Sequence, residues 1–148
     1  MLVLSESLYE GVCKEATITD PSCLQLLKAD PRIPSAKTYL QLSTFILEFG
    51  VKKGKKGKNY MEEVAKTHPT KGIKLCAGNF YDNTIHSFQS AIVELKEDAE
   101  SASYDAKAAG DGPAYCAQRL AEVKIDNPLI NKEVALISTV AFLAINHL

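Results

Sequence analysis

No stretch of this chain is apolar for long enough to cross a bilayer. The best candidate, Val134 to Leu148, is broken by Ser138, Thr139, Asn146 and His147, and a spanning helix needs about 20 apolar residues in succession. Neither sign of charge is in excess: 17 lysines and arginines stand against 18 aspartates and glutamates, a formal net charge of −1. That balance argues against a dedicated nucleic-acid binder, whose affinity rests on surplus cations. Catalytic signatures are missing too. There is no G-x-S-x-G elbow, no P-loop, no Rossmann glycine pattern and no H-E-x-x-H, so the usual carriers of hydrolytic and nucleotide chemistry are absent. The reading is therefore a protein that is not an enzyme, with no catalytic residue and no cofactor. No N-x-[ST] acceptor occurs: Asn79, Asn83 and Asn146 each fail at the third position. No segment alternates with period two, which leaves no basis for a sheet. A signal peptide is not legible in Met1 to Leu4, which is too short and lacks a basic start. In an exported protein Met1 would stand where a removed signal had been.

Four cysteines are present. Cys13 and Cys23 bracket the turn Thr19-Asp20-Pro21 and are placed to staple a short helical hairpin. Cys76 and Cys116 lie in two apolar-periodic segments and are placed to tie long helices together. An even count in a small helical chain points to an oxidised, exported protein, although four cysteines allow three pairings. Zinc is the rival reading. It is disfavoured because there is no C-x-x-C and because His68, His86 and His147 lack ligand spacing.

At 148 residues the chain forms one domain over 1–148, long enough to bury its own core. Residues 1–34 read as a hairpin of two short helices. The first runs from Ser5 to Glu15 with Leu8, Tyr9 and Val12 on one face. The second opens with Asp20 as cap and Pro21 at its first position and ends at Asp30-Pro31. Residues 35–148 read as four longer helices. Ser35 caps the first, in which Leu42, Phe45, Ile46 and Phe49 recur at helical spacing. The run Lys52-Lys53-Gly54-Lys55-Lys56-Gly57-Lys58 then predicts a weak midpoint, the alternative being two helices meeting at a corner. From Thr70 to Glu97 the stripe Ile73, Cys76, Ala77, Phe80, Thr84, Ile85, Phe88, Ile92 and Leu95 predicts one amphipathic helix. Ser101 to Glu122 follows, restarted at Pro113, and Leu129 to Leu148 closes the chain. The fold class is all-α: an up-and-down four-helix bundle with an N-terminal hairpin.

Few residues invite chemistry. The lysine run is placed to bind a polyanion such as nucleic acid, anionic lipid or demethylated pectin, against the plainer reading of a solvated surface. His86 sits beside Asp82 and Gln89 on the polar side of its helix, where a pH response competes with an ordinary surface histidine. Glu97, Asp98 and Glu100 supply negative charge at the start of the next helix.

These residues carry a resemblance. Cys13, Cys23-Leu24-x-x-Leu27 and Ala29-Asp30-Pro31-Arg32, then Cys76-x-x-x-Phe80, Ser87 to Ile92, Cys116 and the closing stretch Leu136 to Ile145 together resemble the plant invertase and pectin methylesterase inhibitor family, over nearly the whole chain. Some pollen allergens grouped with invertase inhibitors share the C-terminal style. The resemblance implies Cys13–Cys23 and Cys76–Cys116 bonds and an exported protein of the apoplast and cell wall rather than the vacuole. It also implies one-to-one, non-covalent blockade of the active-site cleft of acid invertase or pectin methylesterase, and no nucleic-acid or membrane partner. Four features depart from the family pattern. Asp98 to Ser101 lacks a Pro-Lys-Phe tripeptide, Tyr115 replaces the threonine usual before the fourth cysteine, and the spacing after Phe80 is one residue longer. Gly54 and Gly57 are atypical of the first bundle helix. Without that threonine, invertase is placed ahead of pectin methylesterase.

The expected partner face combines Asn79, Asp82, His86 and Gln89 with Ser101, Tyr104 and Asp105 across a helix pair, with Tyr104 as aromatic anchor. Two further readings stand beside inhibition. One is a relative that has lost inhibition and persists as an abundant pollen protein or allergen. The other is a carrier of a small apolar ligand in a pocket lined by Phe45, Phe49, Phe80 and Phe88.

Overall fold

The computed structural model describes residues 6–16 and 22–148. Two short helices come first, α1 (Leu8–Ala16) and α2 (Ser22–Lys28). The Cys13–Cys23 bond joins them across Cα atoms 5.7 Å apart, as expected; the turn Thr19-Asp20-Pro21 lies outside the described residues. Tyr9, Val12, Cys23, Leu26 and Leu27 are all buried, so the pair is pinned by a covalent link and by apolar burial together. The C-terminus adds a tie. His147 Nε2 lies 2.6 Å from Glu15 Oε1, and its ring stacks on Tyr39 at 4.2 Å between centroids.

Four rods build the bundle, which bears out the expected fold class. The first is α3 (Tyr39–Thr67), 29 residues without interruption and therefore about 43 Å long. Its cap is Thr38, whose hydroxyl accepts from the Gln41 N–H at 3.1 Å, and not Ser35. The Ser35 hydroxyl is committed elsewhere, donating to the carbonyls of Pro31 and Arg32.

The glycines of α3 do not break it. Gly50, Gly54 and Gly57 recur at steps of four and three and are buried on one face. A Cβ there would sit 2.8 Å from the Phe88 ring, 3.0 Å from Ile85 and 2.4 Å from the Tyr81 ring. Their missing side chains let the neighbouring helix lay its large residues directly on the α3 backbone. What reads in sequence as a weak point is a packing groove.

The second rod begins at Thr70, whose hydroxyl accepts from Ile73 N, and runs through α4 (Lys71–Leu75), a π-helical turn (Cys76–Phe80) and α5 (Tyr81–Glu94). A π turn absorbs one additional residue and changes the phase of the helix. The uniform stripe predicted here is corrected accordingly. Tyr81 is fully buried, while Phe80 is only partly so.

The third rod is α6 (Ala99–Ala108) followed by α7 (Asp111–Glu122), with Pro113 in the first turn of α7 where its missing N–H does no harm. At the end of α7, Ile125 N donates to Leu120 O and Lys124 N to Ala121 O. Lys124 takes a left-handed φ of 59°, closing the helix in the motif that usually employs glycine.

The fourth rod is α8 (Leu129–Ile145). Its inward polar residues are satisfied. Asn131 accepts from the Tyr81 hydroxyl, and the Ser138 hydroxyl donates to Ala106 O at 2.6 Å. No helix among the described residues is long and apolar enough to cross a membrane.

Cys76 and Cys116 meet in the centre as expected, a close and fully buried pair of sulfurs. They share a hydrogen bond that draws Cys76 below the ordinary thiol range and pushes Cys116 up. The juxtaposition that a Cys76–Cys116 bond requires is therefore present. The π turn brings Cys76 against α7, which places the two sulfurs side by side.

Candidate functional site

Burial decides which side of α5 is available. Tyr81, Thr84, Phe88 and Ala91 turn inward. The steps between Asn79, Asp82, His86, Gln89 and Val93 are three, four, three and four residues, the spacing of one helix ridge. Asn79, Asp82, His86, Gln89 and Val93 are all exposed. Across from this ridge, α6 buries Ala102, Ser103 and Ala106 and exposes Tyr104, 75% accessible. The small buried face of α6 lets it lie close against α5 and α8.

The predicted face is only partly free. Asp82 is held by Lys58, Nζ to Oδ1 at 2.7 Å. The Ser101 hydroxyl donates to Asp98 at 2.7 Å, and Asp98 accepts from Ser101 N as the α6 cap; Ser101 therefore serves the helix end. Asp105 stands across the pair from Glu94 and acts on its titration. His86 and Gln89 come together in a shallow groove of about 270 Å³ with Ser90, Val93 and Glu94. Asn79 lies elsewhere, in a groove with Lys71, Lys74 and Leu75.

Sequence reasoning missed Val93 and Glu94. Val93 is 76% accessible, and its signal was there: an apolar residue off the buried stripe. Glu94 carries an oxygen shut away from solvent without a hydrogen bond. Burial, the neighbouring Asp105 carboxylate, which only a protonated Glu94 can donate to, and the charges of Asp105 and Asp98 together raise its carboxyl above the usual range. The corner from Glu94 to Glu100 contains four acids and one lysine, so a protonated Glu94 relieves like-charge repulsion.

This surface has the chemistry of recognition. His86 Nε2 and Ser90 Oγ stand 3.5 Å apart on the exposed side of one helix. The backbone N–H groups around them are spent inside that helix, so no donor pair is left to stabilise an oxyanion. No group of three metal-ligating side chains occurs among the described residues. The phenylalanines proposed to line a carrier pocket are occupied separately. Arg32 lies over Phe45 at 4.7 Å and Phe80 packs on Tyr115 at 5.3 Å. Phe88 abuts the Gly50 backbone, and Phe49 is buried with Lys53 Nζ 5.7 Å from its ring.

A disulfide-pinned helical bundle with a filled core and a polar, aromatic-anchored face is a preorganised binding scaffold. The chain belongs to the plant invertase/pectin methylesterase inhibitor family, whose profile matches residues 7–145. Members of this family inhibit cell-wall enzymes and are not enzymes themselves. The fold is shared with a solved pectin methylesterase inhibitor from Arabidopsis, a mutant form. The TM-score is 0.66 and the identity 18%, over 97% of this chain and 98% of that one. Among curated protein sequences none matches.

Proposed function

We propose that this chain is an exported plant protein that binds a cell-wall carbohydrate enzyme one to one, without a covalent bond, and closes its active-site cleft with the α5–α6 face. Family membership across residues 7–145 carries the reading. Asn79, Asp82, His86, Gln89, Ser101, Tyr104 and Asp105 are the proposed contacts, and Val93 joins them. Tyr104 is the anchor, since a projecting tyrosine brings large area for little entropy.

Acid invertase is placed first as target, on Tyr115 standing where pectin methylesterase inhibitors usually have threonine. Pectin methylesterase is the second reading, favoured by the solved inhibitor of that enzyme with the same fold. Titration of both purified plant enzymes in parallel at mildly acidic pH tests this. Inhibition of one enzyme names the target. Tyr104→Ala should then weaken inhibition at least about tenfold while leaving the melting temperature unchanged. Silence against both enzymes overturns inhibition and leaves the non-inhibitory relative.

A further inference from the structure

The lysines of α3 divide into two sets. Between Glu48 and Glu62 the helix carries five lysines and no acid. Lys53 reaches Glu133 at 3.3 Å and Lys58 reaches Asp82 at 2.7 Å. Lys52, Lys55 and Lys56 are exposed and enter none of the ion pairs among the described residues. Their spacing of three and four puts them on one face, turned away from the buried glycine stripe. Like charges at these spacings repel and weaken a helix, and no carboxylate among the described residues forms an ion pair with them. The neighbouring anions Asp30 and Glu48 are already engaged by Arg32, at 2.9 and 3.1 Å, with Lys52 adding its charge near Asp30. Counting Arg32, four cations face two anions.

We propose that this face binds a linear acidic polysaccharide, a polyuronate with carboxylates on successive sugars, and so holds the protein in the wall beside its target. Naming that polymer rests on the cell-wall reading above. Charge complementarity selects the class. Lysine is a point charge on a flexible stem, suited to carboxylates spread along a chain rather than to bidentate capture of one group. Single-stranded nucleic acid calls for aromatic platforms, and the residues between Lys52 and Lys56 include none. A lipid surface calls for apolar side chains to insert beside the cations, and the exposed face offers none between those lysines.

The test is binding of the purified protein to immobilised, de-esterified polygalacturonate at about 20–200 mM salt. Binding is expected to fall steeply with salt, with a log–log slope on the order of −2 for three neutralised charges. Lys52→Gln/Lys55→Gln/Lys56→Gln should lose at least about tenfold in affinity at low salt and most of that slope. The corresponding triple arginine variant, equally charged, should keep both. Fully methyl-esterified polymer should not bind. Four outcomes overturn the proposal: no binding by the natural chain, equal binding by the glutamine variant, equal binding to the esterified polymer, or tighter binding to RNA or anionic vesicles. Enzyme inhibition by the same three proteins is measured separately. Its failure overturns the inhibitor reading alone, because these lysines lie outside the α5–α6 face.

Discussion

Replacing Gly57 by alanine sets two effects of known size against each other. Alanine is favoured over glycine in a helix interior by about 1 kcal/mol, and Gly57 lies well inside the 29-residue α3. The new Cβ would meet Tyr81 ring carbons at 2.4 Å and its hydroxyl oxygen at 2.5 Å, where ordinary contact begins at 3.4 Å. That ring is fully buried and its hydroxyl is bound to Asn131, so it has nowhere to swing freely. Overpacking of this kind costs about 1–3 kcal/mol. Displacing the hydroxyl leaves the buried Asn131 oxygen without its donor, a further cost of about 1–3 kcal/mol. The sum is a net loss of about 1–5 kcal/mol, or a melting temperature lower by about 3–15 °C. Gly11→Ala is the control. Its Cβ would meet only a Glu6 carboxylate oxygen at 4.0 Å, so it should stabilise by about 0.5–1 kcal/mol. Thermal and urea unfolding measure both. Repeating Gly57→Ala in a Tyr81→Leu background should reduce its cost, since the pair is in contact. A Gly57→Ala protein as stable as the natural one would refute the claim that this helix contact depends on a missing side chain.

Other tests address the ends and the titrating groups. Lys124 bears the strain of φ 59°, so Lys124→Gly should stabilise by about 0.5–1 kcal/mol in urea unfolding. Glu94 has its carboxyl raised above 4.5 by burial and by Asp105. Its protonated form therefore supports the fold fully below about pH 4.5, and that support is lost as pH rises through the raised value. Glu94→Gln, which stays neutral, should match the natural protein near pH 4 and exceed it in melting temperature near pH 7; a parallel offset at every pH would contradict this. Cys13 and Cys23 close a loop of 10 residues, so the Cys13→Ser/Cys23→Ser protein should lose about 2–3 kcal/mol. Thiol counting completes the set. In protein made under reducing conditions, Cys76 and Cys116 should react only on denaturation. After oxidation they should yield a single Cys76–Cys116 peptide pair, and any exchange with Cys13 or Cys23 would count against the geometry.

The hairpin, the four rods and the meeting of Cys76 with Cys116 were legible because each rests on a periodic apolar stripe or a local stop signal. Two things were not. The π turn at Cys76–Phe80 shifts the phase of the second rod, so a uniform period assigned the core to Phe80 when Tyr81 takes it. No propensity scale registers a π turn, so the change of phase was invisible in residue types alone. The partner face was legible as a ridge but not as a set of free groups. Asp82 and Ser101 look available in sequence, yet a lysine 24 positions away and a cap three positions away engage them. The run Lys52 to Lys58 shows how both kinds of difficulty arise. Read along the chain, alternating lysine and glycine is a helix breaker. Read around the helix, the same spacing sends the glycines to one face and Lys52, Lys55 and Lys56 to the other. The glycines are tolerated because Phe88, Ile85 and Tyr81 fill the space they leave. Those three lysines find no ion-pair partner among the described residues, which is the physical ground for seeking their counterpart outside the fold.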